Sequence, residues 1–292
     1  MIKKLLGVLL VSVVVVANAQ NAPKQSANIG FSPSMFRESL DSGQASGTIN
    51  VLNMSDKEKR IFVDVKPWEL DANSAVVELE SKEDSLDQWM IFNPTDFMIE
   101  SEGSRSVRWA IMPRLQLPDG EYRVMIYLTE MGDPDDQRQV KVNYQFGIPV
   151  YVTVGDVQRI GMLDDIIIND NDKSKPMLGL NISSTGNAHV RIRGSYGLWD
   201  KSLWPGENKA LAELSMADNQ LGVYSEAGVL ISKLPKRPII QDTNRTIWIQ
   251  PTLPDDIDTQ QNTNTIRELV FFVSFTLGED TFQRVVPLTV SR

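Results

Sequence analysis

The chain has 292 residues, with 29 lysines and arginines against 38 aspartates and glutamates, one histidine and no cysteine. Without cysteine there can be no disulfide framework, thiolate nucleophile, zinc–cysteine site or iron–sulfur cluster. The single His189 rules out nearly every multi-histidine metal site and argues against Ser-His-Asp catalysis, and a net charge of −9 opposes broad nucleic-acid binding. The length favours two domains over one.

Met1–Ala19 reads as a secretory signal. Lys3 and Lys4 form the basic start, Leu5–Val16 is an apolar run, and Ala17-Asn18-Ala19 supplies a cleavage pattern with Gln20 following. The alternative is a membrane anchor, but the run falls short of the roughly 20 residues that a bilayer core requires. No cysteine follows it to carry a lipid. The mature chain is therefore expected to be exported, acidic and free of membrane insertion.

Strand signals follow. Ile61, Val63 and Val65 alternate with polar neighbours, as do Tyr122, Val124, Ile126 and Leu128, with further short runs at Thr48–Leu52, Ala75–Leu79, Phe97–Glu100 and Ser106–Ile111. Gly, Pro, Asn and Asp punctuate the chain every ten or so residues, the rhythm of an antiparallel sandwich. Across 140–154 every even position is apolar: Val140, Val142, Tyr144, Phe146, Ile148, Val150, Val152 and Val154. Pro149 lacks an N–H and places that point at an edge, bulge or strand switch. Two readings stay open. The strand lies inside a sandwich, or it is presented to another polypeptide so that backbone bonds give affinity and alternate side chains fill pockets.

Residues 155–161 read as a connector, so the expected domains are 20–154 and 155–292. A second strand-rich block comprises Asp165–Ile168, Leu178–Ile182, His189–Ile192, Ile247–Ile249, Leu269–Leu277 and Phe282–Val290, with one helix-like stretch at Glu207–Ala217. The expected fold is all-β, two antiparallel sandwiches.

No nucleophile elbow, phosphate loop, dinucleotide fingerprint, zinc-protease motif or calcium loop is present. Asp164-Asp165, Asp170-Asn171-Asp172, Asp133 with Asp135 and Asp136, and Asp255-Asp256 with Asp258 read as solvated acidic loops. Trp68, Trp89, Trp109, Trp199, Trp204 and Trp248 could line a sugar platform or, more in keeping with a sandwich, its cores. His189, in an alternating strand, reads as a hydrogen-bonded structural residue. No catalytic residue, cofactor or metal is expected.

Four stretches resemble the periplasmic pilus-assembly chaperones of the chaperone–usher family. They are Pro33–Leu40 followed by Thr48–Asn53; Arg60–Trp68; Ile91-Phe92-Asn93-Pro94 through Arg108; and Gly120–Val124 with the long strand ending Pro149-Val150-Tyr151-Val152. The resemblance implies two immunoglobulin-like sandwiches in an L-shape, without enzymatic activity, serving fimbrial subunits and an outer-membrane usher in the periplasm. It implies that Val140, Val142, Tyr144, Phe146 and Ile148 form a strand lent to a subunit, and that Arg37 holds the subunit's terminal carboxylate in the cleft. A self-capping dimer is a further implied partner state. The sequence departs from the family where a second cleft cation, a lysine, should stand: it has Pro149, leaving Lys141, Arg108 or no residue in that role. The alternative to a chaperone is a two-domain structural or adhesive surface protein.

Overall fold

The computed structural model describes residues 28–71, 75–83, 85–132, 143–172, 175–216, 223–224, 230–251 and 266–291. The expected signal Met1–Ala19, together with Val140, Lys141 and Val142, lies outside the described residues, as do Asp133, Asp135, Asp136, Asp255, Asp256 and Asp258.

The first half comprises β1 (Ile29–Ser32), β2 (Phe36–Ser39), β3 (Ala45–Asn53), β4 (Lys59–Leu70), β5 (Val76–Glu78), β6 (Met90–Asn93), β7 (Asp96–Ile99), β8 (Ser104–Ile111), β9 (Gly120–Met131) and β10 (Tyr144–Val154). One sheet has the order β1-β3-β8-β6, and the other β2-β10-β9-β4-β5 with β7 also paired to β4. These are the two sheets of an immunoglobulin-type sandwich. The alternation seen in the sequence is the alternation of faces. Val124, Ile126 and Leu128 of β9 and Ile148, Val150 and Val152 of β10 are fully buried, packed against Ile49, Val51, Val107 and Trp109 of the facing sheet. At about 25 cal/mol per Å² of apolar surface removed from water, this inner layer is the main source of stability in a chain without cross-links.

The second half comprises β11 (Gly161–Asn169), β12 (Met177–Ser184), β13 (Val190–Arg191), β14 (Arg193–Asp200), α1 (Glu207–Met216), β15 (Val223–Tyr224), β16 (Leu230–Lys233), β17 (Pro238–Ile239), β18 (Asn244–Ile249), β19 (Ile266–Leu277) and β20 (Asp280–Ser291). A β11-β12-β18 sheet faces a β15-β16-β14-β19-β20 sheet, with β13 and β17 forming a small ribbon. The core between them is separate from the first and contains Leu178, Leu180, Ile182, Phe271, Val273 and Phe275. The chain is all-β, built as two sandwiches. Helix α1 lies outside the second core, where Ala210 and Leu214 cover Trp199 and Phe272. The expected strand at His189–Ile192 is only the two residues of β13. Strand β14, which the alternation did not point to, carries Gly194 and Gly197; a Cβ on Gly197 would lie 2.2 Å from the Trp199 indole.

Strands β1 and β2 are one stretch of chain divided between two sheets. β1 runs antiparallel to β3, then after Pro33 the chain crosses, and β2 runs parallel to β10 at Val150–Thr153. β9 pairs with β10 over its whole length, from Tyr144 to Val154. Among the described residues, no strand occupies the other side of Tyr144–Pro149.

Candidate functional site

The strand switch thus leaves an open edge on a long strand, and the backbone directions along it can be read off one bond. Leu40 N donates to Thr153 O at 2.8 Å, so Thr153 points toward the β2 side. Backbone polar groups alternate sides along a strand, which places those of Gln145, Gly147 and Pro149 on that side too. Gln145 and Gly147 offer both a donor and an acceptor to the open edge; Pro149, which has no N–H, offers it no donor. The missing N–H of Pro149 therefore falls where the ladder has no partner, which is the position a sheet tolerates.

The even-numbered side chains face inward and change environment along the strand. Tyr144 is half-buried and Phe146 is half-buried against Phe31 of β1, ring centroids 5.6 Å apart. Ile148 is fully buried in the sandwich's own core. At the same end of the sandwich, Lys59 closes the row with an ion pair to buried Glu130 at 2.5 Å.

The open edge leads into a cleft of about 840 Å³ between the two sandwiches, lined by Arg37, Arg159, His189, Arg191 and Arg193 and, at one side, by Glu279 and Asp280. Four arginines gathered in one cleft of an acidic chain make a local cationic site. Arg37 on β2 is exposed and lies abreast of Tyr151 in the parallel register. Its guanidinium stands 6.0 Å from the Tyr151 ring centroid and, among the described residues, has no hydrogen bond or ion pair. Arg108, on the opposite sheet of the first sandwich and paired with Thr48 and Asn93, is not part of the lining.

The floor of the cleft is a polar joint between the sandwiches, centred on Glu121 of β9, whose side chain is 1% exposed. Its carboxylate accepts from His189 Nδ1 at 2.5 Å and Arg159 at 3.3 Å, with Arg123 at 3.7 Å. Burial depresses the Arg123 guanidinium, and neighbouring Glu121 opposes this. His189 Nε2 faces Arg191 Nε at 3.1 Å, and Arg191 also donates to the Tyr151 hydroxyl at 3.3 Å. Burial raises the Tyr151 phenol above its usual range while Arg191 pulls the other way. Around this centre, Glu121 N donates to Asn187 O, Asn187 Nδ2 to Asp119 O, and Gln241 Nε2 to Glu121 O. Arg245 of β18 donates to the carbonyls of Leu70 and Asp71, tying the end of β4 to the second sandwich.

His189 is thus a hydrogen-bonded joint residue. Five of the six tryptophans are buried or half-buried; Trp248 alone is 41% exposed, so no aromatic array faces solvent. Asp164 accepts from Ser183 and Asn244 on an exposed surface. Among the described residues, no group of three acidic or histidine side chains is arranged to hold a metal, and no helix is long and apolar enough to cross a membrane. Arg191 and the Glu121 centre are the site residues that strand alternation did not reveal.

No family model and no curated protein matches the chain. Several solved structures are similar. One is the chaperone–tip adhesin complex of CFA/I fimbriae biogenesis, with 14% identity, 89% of this chain and 98% of that chain covered, and a TM-score of 0.44. A second is the YadV chaperone, with 10% identity, 90% and 100% covered, and a TM-score of 0.43. A third is the CsuC–CsuE chaperone–tip adhesion subunit pre-assembly complex of Acinetobacter baumannii, with 11% identity, 89% and 98% covered, and a TM-score of 0.42. These three structures are of chaperones, alone or with a tip subunit, and none is more than 14% identical to this chain.

Proposed function

We propose that the chain is a non-enzymatic periplasmic chaperone that lends the open edge of β10 to fimbrial subunits and hands them to an outer-membrane usher. Residues 1–19 are its export signal, removed after Ala19, and its working parts are the domains 20–154 and 155–292. The observation that carries the reading is the stretch Tyr144–Pro149, unpaired on its β2 side among the described residues, running into a cleft that holds Arg37, likewise without a hydrogen bond or ion pair among them. Backbone groups of Gln145 and Gly147 supply directional affinity to an added strand. Val140, Val142, Tyr144 and Phe146 supply apolar surface, while Ile148 roots the strand in its own core. Arg37 receives the terminal carboxylate of the subunit, a charge-assisted contact that sets register more than it adds affinity. Without a client, two copies cap each other's edges.

The test is co-expression with candidate subunits from neighbouring genes, followed by affinity capture. Phe146→Asp and Gln145→Pro should each lower capture at least about tenfold, a loss of about 1.4 kcal/mol. The first places a charge on the apolar face; the second deletes an open-edge N–H without touching the ladder to β9. Capture equal to wild type by both folded variants refutes strand lending and leaves a two-domain structural or adhesive surface protein.

A further inference from the structure

We infer that Arg191, from the second sandwich, is the second cation of the carboxylate anchor and that His189 sets its aim. The inference rests on the chaperone reading above and supplies the charge that Pro149 cannot. Both guanidiniums converge on one phenol, with Arg37 6.0 Å and Arg191 5.9 Å from the Tyr151 ring centroid. Arg191 is held by three acceptors: Nε by His189 Nε2 at 3.1 Å, one terminal nitrogen by Lys236 O at 3.4 Å, and the other by the Tyr151 hydroxyl at 3.3 Å. A guanidinium has five N–H donors, so one remains on each terminal nitrogen, a pair suited to a carboxylate.

The hydrogen-bond directions fix the state of the imidazole. Arg191 Nε can only donate, so His189 Nε2 accepts, and the ring proton sits on Nδ1 facing Glu121 Oε1. A neutral His189 therefore passes the fixed position of Glu121 on to Arg191. Glu121 is itself clamped by Arg159 and Arg123. Arg37 belongs to the first sandwich and Arg191 to the second, so a bound carboxylate bridges the joint. Binding and interdomain geometry are then coupled, each stabilising the other.

The probe is a dye-labelled alternating valine–serine peptide in two forms, with a free carboxylate and with a terminal amide, titrated onto the purified full chain by fluorescence anisotropy. Wild type should prefer the carboxylate at least about tenfold. Arg37→Gln and Arg191→Gln should each bring the ratio toward one while leaving amide affinity unchanged. His189→Phe should do the same. His189→Gln should keep the preference, because its amide can donate to Glu121 and accept from Arg191. Thermal melts confirm that each variant is folded. If Arg191→Gln keeps the full preference while Arg37→Gln loses it, this inference is wrong and the chaperone reading stands. If His189→Phe keeps the preference, the positioning role is wrong. Equal or absent binding of the two peptides to wild type overturns the carboxylate anchor and this inference together.

Discussion

Replacing Glu121 with alanine tests whether the two sandwiches are joined by a buried charge centre or merely touch. The carboxylate is 1% exposed, and its partners differ greatly in what they lose. Arg123 is 12% exposed and His189 6%, whereas Arg159 at 43% is largely screened by solvent. Removing one partner of a buried charged cluster costs about 3–5 kcal/mol, because the remaining charge is stranded. The backbone bonds of residue 121 to Asn187 and Gln241 survive the change, and Arg159 can turn to water, so the lower end, about 3 kcal/mol, is expected. With a urea dependence of about 3 kcal/mol per M for a chain of this size, the midpoint should fall by about 1 M. Circular dichroism and tryptophan fluorescence both report it, since each sandwich holds tryptophans. Glu121→Gln keeps an acceptor for His189 Nδ1 and should lose about half as much. A shift below about 0.2 M for alanine, or equal losses for alanine and glutamine, would refute the charge-centre account.

Asn53 donates through Nδ2 to the carbonyls of Lys57, Ile99 and Glu100 at 2.7, 3.1 and 2.9 Å, and accepts from Ser55 N and Oγ through Oδ1. Asn53→Ala orphans buried carbonyls and should cost about 2 kcal/mol, lowering the melting temperature by roughly 4–8 °C in a thermal scan; an unchanged melt would show that water replaces it. Burial and a hydrogen bond to Glu78 push the Tyr127 phenol up to about 12. A raised phenol contributes stability that is complete below its unfolded value of about 10 and fades as pH rises toward 12. Tyr127→Phe should therefore flatten the alkaline limb of stability in urea titrations across that window, and an unchanged limb would contradict the assignment.

Much of the fold was legible because burial in a sandwich writes itself into the sequence at a period of two. The even positions of β9 and β10 face the core as their alternation implied. Strand β14 was not legible, since its glycines make room for close neighbours, Gly197 for the Trp199 indole and Gly194 for Ser274 and Phe275 of β19, and they interrupt the apolar alternation. The site was half legible. The alternation of β10 stands out locally, whereas Arg37 came only from the family resemblance, and among the described residues the open edge exists only because β2 leaves β10 unpaired before Val150, a fact of topology. The joint was illegible: Glu121, His189 and Arg191 come together across two domains, and each alone reads as an ordinary polar strand residue. Proximity of that kind is set by how two cores dock, and no local pattern reports it.

Pro149 gives the open edge a measured length. Any strand added there can zip along the backbone only up to the point where a donor is missing and β2 takes over at Val150. The described part of that track, Tyr144 to Pro149, is about 17 Å long at about 3.3 Å per residue. A guest that reaches the stop must leave the sheet at that place, and its end is released beside Arg37 and Tyr151. In the proposed chaperone role the edge would work as a ruler, admitting guests by the distance between their last apolar anchor and their terminus. Lengthening or shortening a guest's final segment by two residues would preserve its facing and still miss the mark.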